Sequence, residues 1–406
     1  MTNLETADLP AHVPADLVRD YPLLYGRTTD ENPHETMIPK IHEGPAVFYS
    51  LNAYPGDQPA WIVRRTEDLR KIYFDSEHFT NADPGPFAAM IGETWRLLPF
   101  ESDVPQHGLY RAFVNPLFTP KAMTKLEGRI RQYAREYIED FKPKGSCEFI
   151  KDFAYEFPIK IFLELMGLPL ELTSQFLAWE TDLLHASDPM VIAAATRNVV
   201  AYLRGEIAAR QANPTDDLLS YGVTTQIDGR GLTDDELVGF AFNLFIGGLD
   251  TVSTNMASQF RHLASNLDHQ AQLRANPEMI ANAIDECMRA FAAVTTFRTC
   301  SKETEIQGVR IMPGDKVAMS TSLAGRDPEE YDRPNEIILD RKPRLISWGY
   351  GPHMCVGMHL ARREMRIAME EFLALIPEFQ IAPDAKIRFH IGGMIQPESL
   401  PLVWNA

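Results

Sequence analysis

Thiols are scarce in this chain. Its 406 residues include four cysteines, Cys147, Cys287, Cys300 and Cys355, and no two stand in a CxxC spacing. That excludes a paired-thiol redox or zinc motif, and four are too few to staple a chain of this length. Positive charge is short as well: 39 Lys and Arg face 56 Asp and Glu, a net of −17. So acidic a balance favours solubility and argues against nucleic acid or an anionic membrane as the main partner. Any electrostatic docking surface must be a local basic island. No stretch reads as the roughly 18–20 apolar residues that cross a bilayer. The opening "MTNLETADLPAHVPADLVRDYPLLYG" lacks a basic start followed by an apolar run, so it is not a signal peptide. Soluble and cytoplasmic is the expectation. No linker, charge block, low-complexity run or internal repeat marks a boundary, which predicts one domain over residues 1–406. No GxGxxG lies between a strand and a helix, so no flavin or nicotinamide fingerprint is present.

What is there is mostly helical patterning. "TPKAMTKLEGRIRQYAREYIEDF" spaces Met123, Leu126, Ile130, Tyr133 and Tyr137 by three or four. Thr233 and Glu236 stand in capping-box spacing at the head of a helix that is apolar nearly all round from Leu237 to Ile246, so it should run through the core. "PEMIANAIDECMRAFAAV" and "GMHLARREMRIAMEEFLALI" are two further helices. "AVFYSLNAYPGDQPAWIVRR" and "EIQGVRIMPGDKVAMS" each predict a hairpin closing at Pro-Gly-Asp. The fold class is mainly α with small marginal β-sheets.

One thiol stands apart. In "SWGYGPHMCVGMHLARREM", Cys355 sits among Gly349, Gly351 and Gly357 just before a helical run. Backbone N–H groups and the helix dipole there should lower its pKa. The glycines would let a flat, bulky ligand approach. Taken alone, the residue could equally be a small core side chain. The whole pattern Trp348-x-x-Gly351-x-x-x-Cys355-x-Gly357 resembles the haem-binding signature of the cytochrome P450 superfamily. The resemblance implies a single-domain P450 fold holding haem b between the long central helix and the cysteine loop, with Cys355 as axial thiolate. Trp348 stands where the family usually has Phe.

Further stretches carry the likeness. "GGLDTVS" resembles the family's acid–alcohol pair, which implies that Asp250 and Thr251 serve proton delivery to dioxygen and that Gly247 and Gly248 open the helix. The plainer reading is a Thr bonded back to its i−4 carbonyl. Glu286 and Arg289 in "DECMR" resemble a structural Glu-x-x-Arg pair, but "YDRPNEIILDR" shows no evident third partner, an arginine. His107 and Arg111 in "QHGLYR", Arg298 in "TTFRTC" and His353 match propionate-binding positions. With "HLARRE", "FPIKIFLELMGLP" and "LPLVW", the likeness is to the soluble bacterial camphor-hydroxylase branch.

That branch places a tyrosine on the camphor ketone where this chain has Trp95, or else Trp95 is simply core. Phe87, Asn243, Ile246, Gly247, Val294, Thr296 and Met394 complete the implied substrate contacts. An apolar set of this kind fits a terpenoid or norisoprenoid such as an ionone, with a camphor-type monoterpene as the alternative. Electrons must come from a separate carrier. Arg341, Lys342 and Arg344, with Arg111, Arg362 and Arg363, form a basic island near the cysteine loop that fits an acidic [2Fe-2S] ferredoxin backed by its reductase. A non-enzymatic haem-thiolate sensor would need no Asp250–Thr251 pair, and a peroxygenase would need neither that pair nor the basic island.

Overall fold

The computed structural model describes residues 9–405. The first eight residues of the segment read above as lacking a signal peptide lie outside the described residues. Helix makes up 52% of the structure and the sheets are small, as the patterning predicts. The helices that frame the interior are α1 (Gln106–Val114), α2 (Glu127–Phe141), α3 (Thr173–Leu184), α4 (Pro189–Ala212), α5 (Asp234–Gly248), α6 (Asp250–Ser265), α7 (Ile280–Ala290) and α8 (Met358–Leu375).

Both bonds of the Thr233–Glu236 capping box are present and start α5. From there α5 and α6 form one nearly continuous span through the core. Residues 234–265 do meet the length and composition of a membrane span, against the sequence expectation, yet 67% of the apolar window is buried in the protein. Its apolarity is therefore that of a core helix. The span breaks at Leu249, where ψ is −73°. Gly247 and Gly248 offer no side chains to brace this turn. Neighbouring hydroxyls take up the loosened carbonyls: Thr251 Oγ1 donates to Gly247 O at 2.9 Å, and Ser253 Oγ to Leu249 O at 3.0 Å. Beyond the break, α6 packs through Phe260, stacked on Phe149 at 4.2 Å and edge-on to Phe372 of α8 at 4.9 Å. Burying one such side chain contributes roughly 1.5–3 kcal/mol.

The main sheet has five strands, in the order Val47–Tyr54, Gln58–Val63, Lys316–Ser320, Thr295–Cys300 and Phe79–Thr80. Its first hairpin closes as expected, with Gly56 and Asp57 in the left-handed region. The second does not. Thr304–Ile306 pairs with Val309–Ile311 across Gln307 and Gly308, both at positive φ. The Pro-Gly-Asp turn that follows instead delivers Lys316–Ser320 into the main sheet. Two consecutive turns compete here, and the tighter two-residue connection makes the hairpin.

Glu286 and Arg289 form a bidentate pair at 2.8 Å for both bonds, with both side chains 0% exposed. The third partner exists: Arg341 Nε reaches Glu286 Oε1 at 3.1 Å, and the Ile338 N–H reaches the same oxygen at 2.9 Å. Arg289 also donates to the carbonyls of Gly325, Pro334 and Glu336. Arg341 is thereby withdrawn from the expected basic island. α7 is thus fastened to the irregular chain that leads to the cysteine loop. Removing one partner strands buried charge, so Glu286→Gln should cost about 3–5 kcal/mol in urea unfolding. A loss below about 1 kcal/mol would show that the triad does not hold this segment.

Candidate active site

A cavity lies between the α5–α6 break and the loop before α8, with about 310 Å³ open to the centre of a water molecule. Gly247, Gly248 and Thr251 form one wall, and Trp348, Cys355 and Gly357 the opposite one. Gly349 and Gly351 have φ of +70° and +65°, and a Cβ on Gly351 would come within 3.3 Å of the Phe74 ring. Gly357 has an ordinary φ of −79°, so no backbone strain demands glycine there. The Cys355 N–H donates to Trp348 O at 2.7 Å, which turns the loop so that the thiol faces inward.

Cys355 is the one cysteine on the cavity wall; Cys147, Cys287 and Cys300 are packed in the core. Its accessible surface opens into the cavity, although protein encloses it, so burial governs its titration. Burial pushes its pKa up and outweighs the N–H groups of Gly357 and Met358 and the charge of Arg111. The sequence expectation was the reverse: the favourable donors are present, but desolvation wins. A thiol so placed becomes a thiolate when a cation faces it, which fits a metal ligand. On the same wall, the Trp348 indole N–H has no hydrogen-bond partner and the Arg362 guanidinium lies 5.5 Å from the ring.

Along one rim, Arg298 is only 4% exposed and donates to Asn81 Oδ1 at 2.7 Å, yet among the described residues no carboxylate pairs with it. The His107 and His353 rings meet beside it, 3.9 Å between centroids and tilted by 34°. Burial, reinforced by Arg111 for His107 and by Arg298 for His353, lowers them to about 4 and about 3, so both are neutral at pH 7. A buried guanidinium without an anion is costly. These donors fit a ligand bearing carboxylates, and the cavity fits haem b as the sequence expects. Arg111 is differently engaged: it braces the cysteine loop through Met354 O at 2.6 Å.

The acid–alcohol pair is split between two sides. Thr251 lines the cavity and keeps the bond to Gly247 O that the helix-local reading expects. Asp250 is fully buried and points behind the helix, towards His185 Nε2 at 3.4 Å and Glu180. The sequence reading missed both partners. Glu180 shares a helical face with Phe176 and Leu183, a carboxylate on an apolar stripe, and that spacing was the available signal.

Of the expected substrate contacts, Asn243, Gly247, Val294 and Thr296 line the cavity. Phe87, Trp95, Ile246 and Met394 do not. Trp95 is 3% exposed and packs on Phe242 at 4.9 Å, which favours the core reading. The Phe87 ring lies against the same Phe242, and Met394 pairs by backbone with Val294. Asn243 donates to Leu98 O at 3.1 Å, tying the central helix to the roof loop. On the outer surface, Lys342 and Arg344 are exposed and unpaired among the described residues. Arg362 pairs with Asp285 at 2.9 Å and Arg363 with Glu127 at 2.7 Å.

Glu364 of α8 also lines the cavity, unseen in the sequence reading, and burial alone pushes it up to about 8. Its folded pKa exceeds the unfolded value of 4.5, so the folded chain keeps a proton that the unfolded chain releases. Stability should therefore fall as pH rises from about 4.5 towards 8. Urea midpoints measured across that window should show the slope flattening in Glu364→Gln, and an unchanged slope would refute the neutral acid.

Known proteins match this geometry and sequence. The Cytochrome P450 family profile matches residues 185–388. A probable cytochrome P450 127A1 of Sinorhizobium fredii is 36% identical over 99% of this chain and 98% of its own length. A steroid C26-monooxygenase of Mycobacterium tuberculosis is 30% identical over 75% of this chain and 85% of that one. The crystal structure of CYP101C1 superposes with a TM-score of 0.88 at 31% identity, covering 98% of this chain and 100% of the other. With the fold, the cavity thiol and these relatives in agreement, the chain belongs to the cytochrome P450 family.

Proposed function

We propose that this P450 monooxygenase hydroxylates a compact hydrophobic terpenoid or norisoprenoid of the ionone type, with electrons from a [2Fe-2S] ferredoxin and its reductase. It acts as one domain, free of membrane, in the cytoplasm. The carrying observation is the placement of Cys355 as the one cavity thiol, with the uncompensated Arg298 and the His107–His353 pair along the rim. Cys355 would hold the iron of haem b, and Arg298, His107 and His353 its propionates. Bound there, the haem supplies dioxygen activation and oxygen insertion into a C–H bond. The chain's own residues do the rest. Thr251 presents a hydroxyl at the cavity wall, and Asp250 behind it offers a carboxylate for moving protons. Trp348, whose carbonyl accepts from the Cys355 N–H, would shield the sulfur beside it. Reduced protein under carbon monoxide should show the thiolate-type Soret band, and Cys355→Ala should abolish it; a variant that retains the band would remove the assignment.

The substrate class rests on a predominantly apolar wall that includes Phe162, Leu244 and Val294, with the amides of Asn243 and Asn255 also on it. Trp95 is withdrawn into the core, and the aromatic donors that do line the cavity, Tyr73 and Trp348, stand at other positions than the ketone-binding tyrosine of the camphor branch. Ionones should give a larger low-to-high-spin shift than camphor on titration, and the opposite ranking would overturn the preference.

The partner reading rests on the surface outside the thiol. Met354 and Phe74 are 40% and 62% exposed, and Phe74 packs against Tyr350 of the cysteine loop. Arg70 joins this patch to Arg344 through the Arg344 carbonyl. With Lys342 and Arg344 unpaired, the face has an apolar centre and a basic rim, which suits a small acidic protein. Lys342→Glu with Arg344→Glu should raise the half-saturating ferredoxin concentration about tenfold and weaken its salt dependence. Unchanged values would place docking elsewhere.

A further inference from the structure

On the side of the central helix away from the cavity, Glu180 of α3, His185 just past its end and Asp250 at the start of α6 converge. One ligand atom from each lies within 4.8 Å of the others. Glu180 and Asp250 are 1% and 0% exposed. Neither Glu180 oxygen has a hydrogen-bond partner, nor does Asp250 Oδ2. At 3.4 Å, His185 Nε2 makes a charge contact with Asp250 Oδ2 rather than a formed hydrogen bond. No lysine or arginine pairs with the group among the described residues. Two dry carboxylates this close cannot both ionise, so one must hold a proton. Burial and then the Asp250 charge push Glu180 well above the carboxylate range, which makes it the holder. Burial lowers His185, but Asp250 outweighs it and the net shift is upward.

The other groups facing the cluster are polar and weakly charged. Thr254 donates to Gln396 Oε1 at 2.6 Å, and Gln396 donates to the Tyr155 hydroxyl at 3.1 Å. The His390 ring meets His185 at 5.8 Å and is lowered by burial, with Glu398 near it and Glu148 near Tyr155. His185 keeps 19% side-chain exposure and so connects the group to water.

We propose that Glu180 is a proton store behind Asp250, refilled from solvent through His185. The inference rests on the monooxygenase reading, in which protons are consumed on the Thr251 side. In the transfer, the Glu180 O–H bond breaks and an O–H bond forms at Asp250 Oδ2. His185 takes a proton at Nδ1 from a solvent hydronium, which leaves as water, and the resulting imidazolium passes its Nε2 proton to the Glu180 carboxylate. No electrons move. Glu180 acts through Asp250 and positions the proton; it does not touch the cavity.

The test uses haem-loaded ferric protein. The infrared difference between wild type and Glu180→Gln should contain the C=O stretch of a protonated carboxyl in a dry site, persisting through neutral pH. The Glu364 band should remain in both. His185→Ala should slow deuterium exchange of the Glu180 band about tenfold, and Glu180→Asp should restore a shifted band. With β-ionone and ferredoxin, Glu180→Gln should lower dioxygen consumption about tenfold and enlarge its solvent isotope effect. Absence of the band, or exchange indifferent to His185, overturns the proposal. The infrared arms involve no turnover, so their failure leaves the monooxygenase reading standing. Wild type without the thiolate Soret band would fail that reading instead.

Discussion

The Glu286 carboxylate has no access to water, and three donors converge on it: two guanidiniums and a backbone N–H. Such an arrangement tolerates no missing partner, because each charge is affordable only while the others are in place. It therefore fixes where the chain from Gly325 to Arg341 must run. Gly325 shows how closely that chain is held, since a Cβ there would sit 1.9 Å from the Arg289 carbonyl. The cysteine loop begins a few residues later, so the position of the thiol is inherited from this ionic knot.

The interior divides into two electrostatic districts separated by the broken helix. On the cavity side, uncompensated donors prevail: Arg298, the indole of Trp348 and a thiol that burial keeps protonated. Behind the helix, uncompensated acids prevail at Glu180 and Asp250. Each set would be costly in isolation. The break at Leu249 is the narrowest partition between them, with Thr251 on one face and Asp250 on the other.

What was legible in the sequence were motifs whose chemistry sits within a few residues. The cysteine loop, the Glu286–Arg289 pair and the Thr233 cap all depend on local spacing, and the structure assembles them as read. Arg341 escaped because its partner is 55 positions away and an irregular segment carries it there. The second hairpin was misplaced because two turn-forming sequences follow one another, and periodicity does not rank them. The sign of the Cys355 shift was missed for a different reason: helix dipole and glycine donors are visible in the sequence, whereas desolvation belongs to the assembled cavity. Trp95 illustrates the limit of carrying a position over by alignment, since its larger ring finds Phe242 instead of the cavity.

Lys342 and Arg344 keep their charges uncompensated on a body whose net charge is −17. The surface beside the cysteine loop is therefore locally positive on an acidic body. A cationic support would be repelled by that patch, whereas the acidic body as a whole is drawn to it.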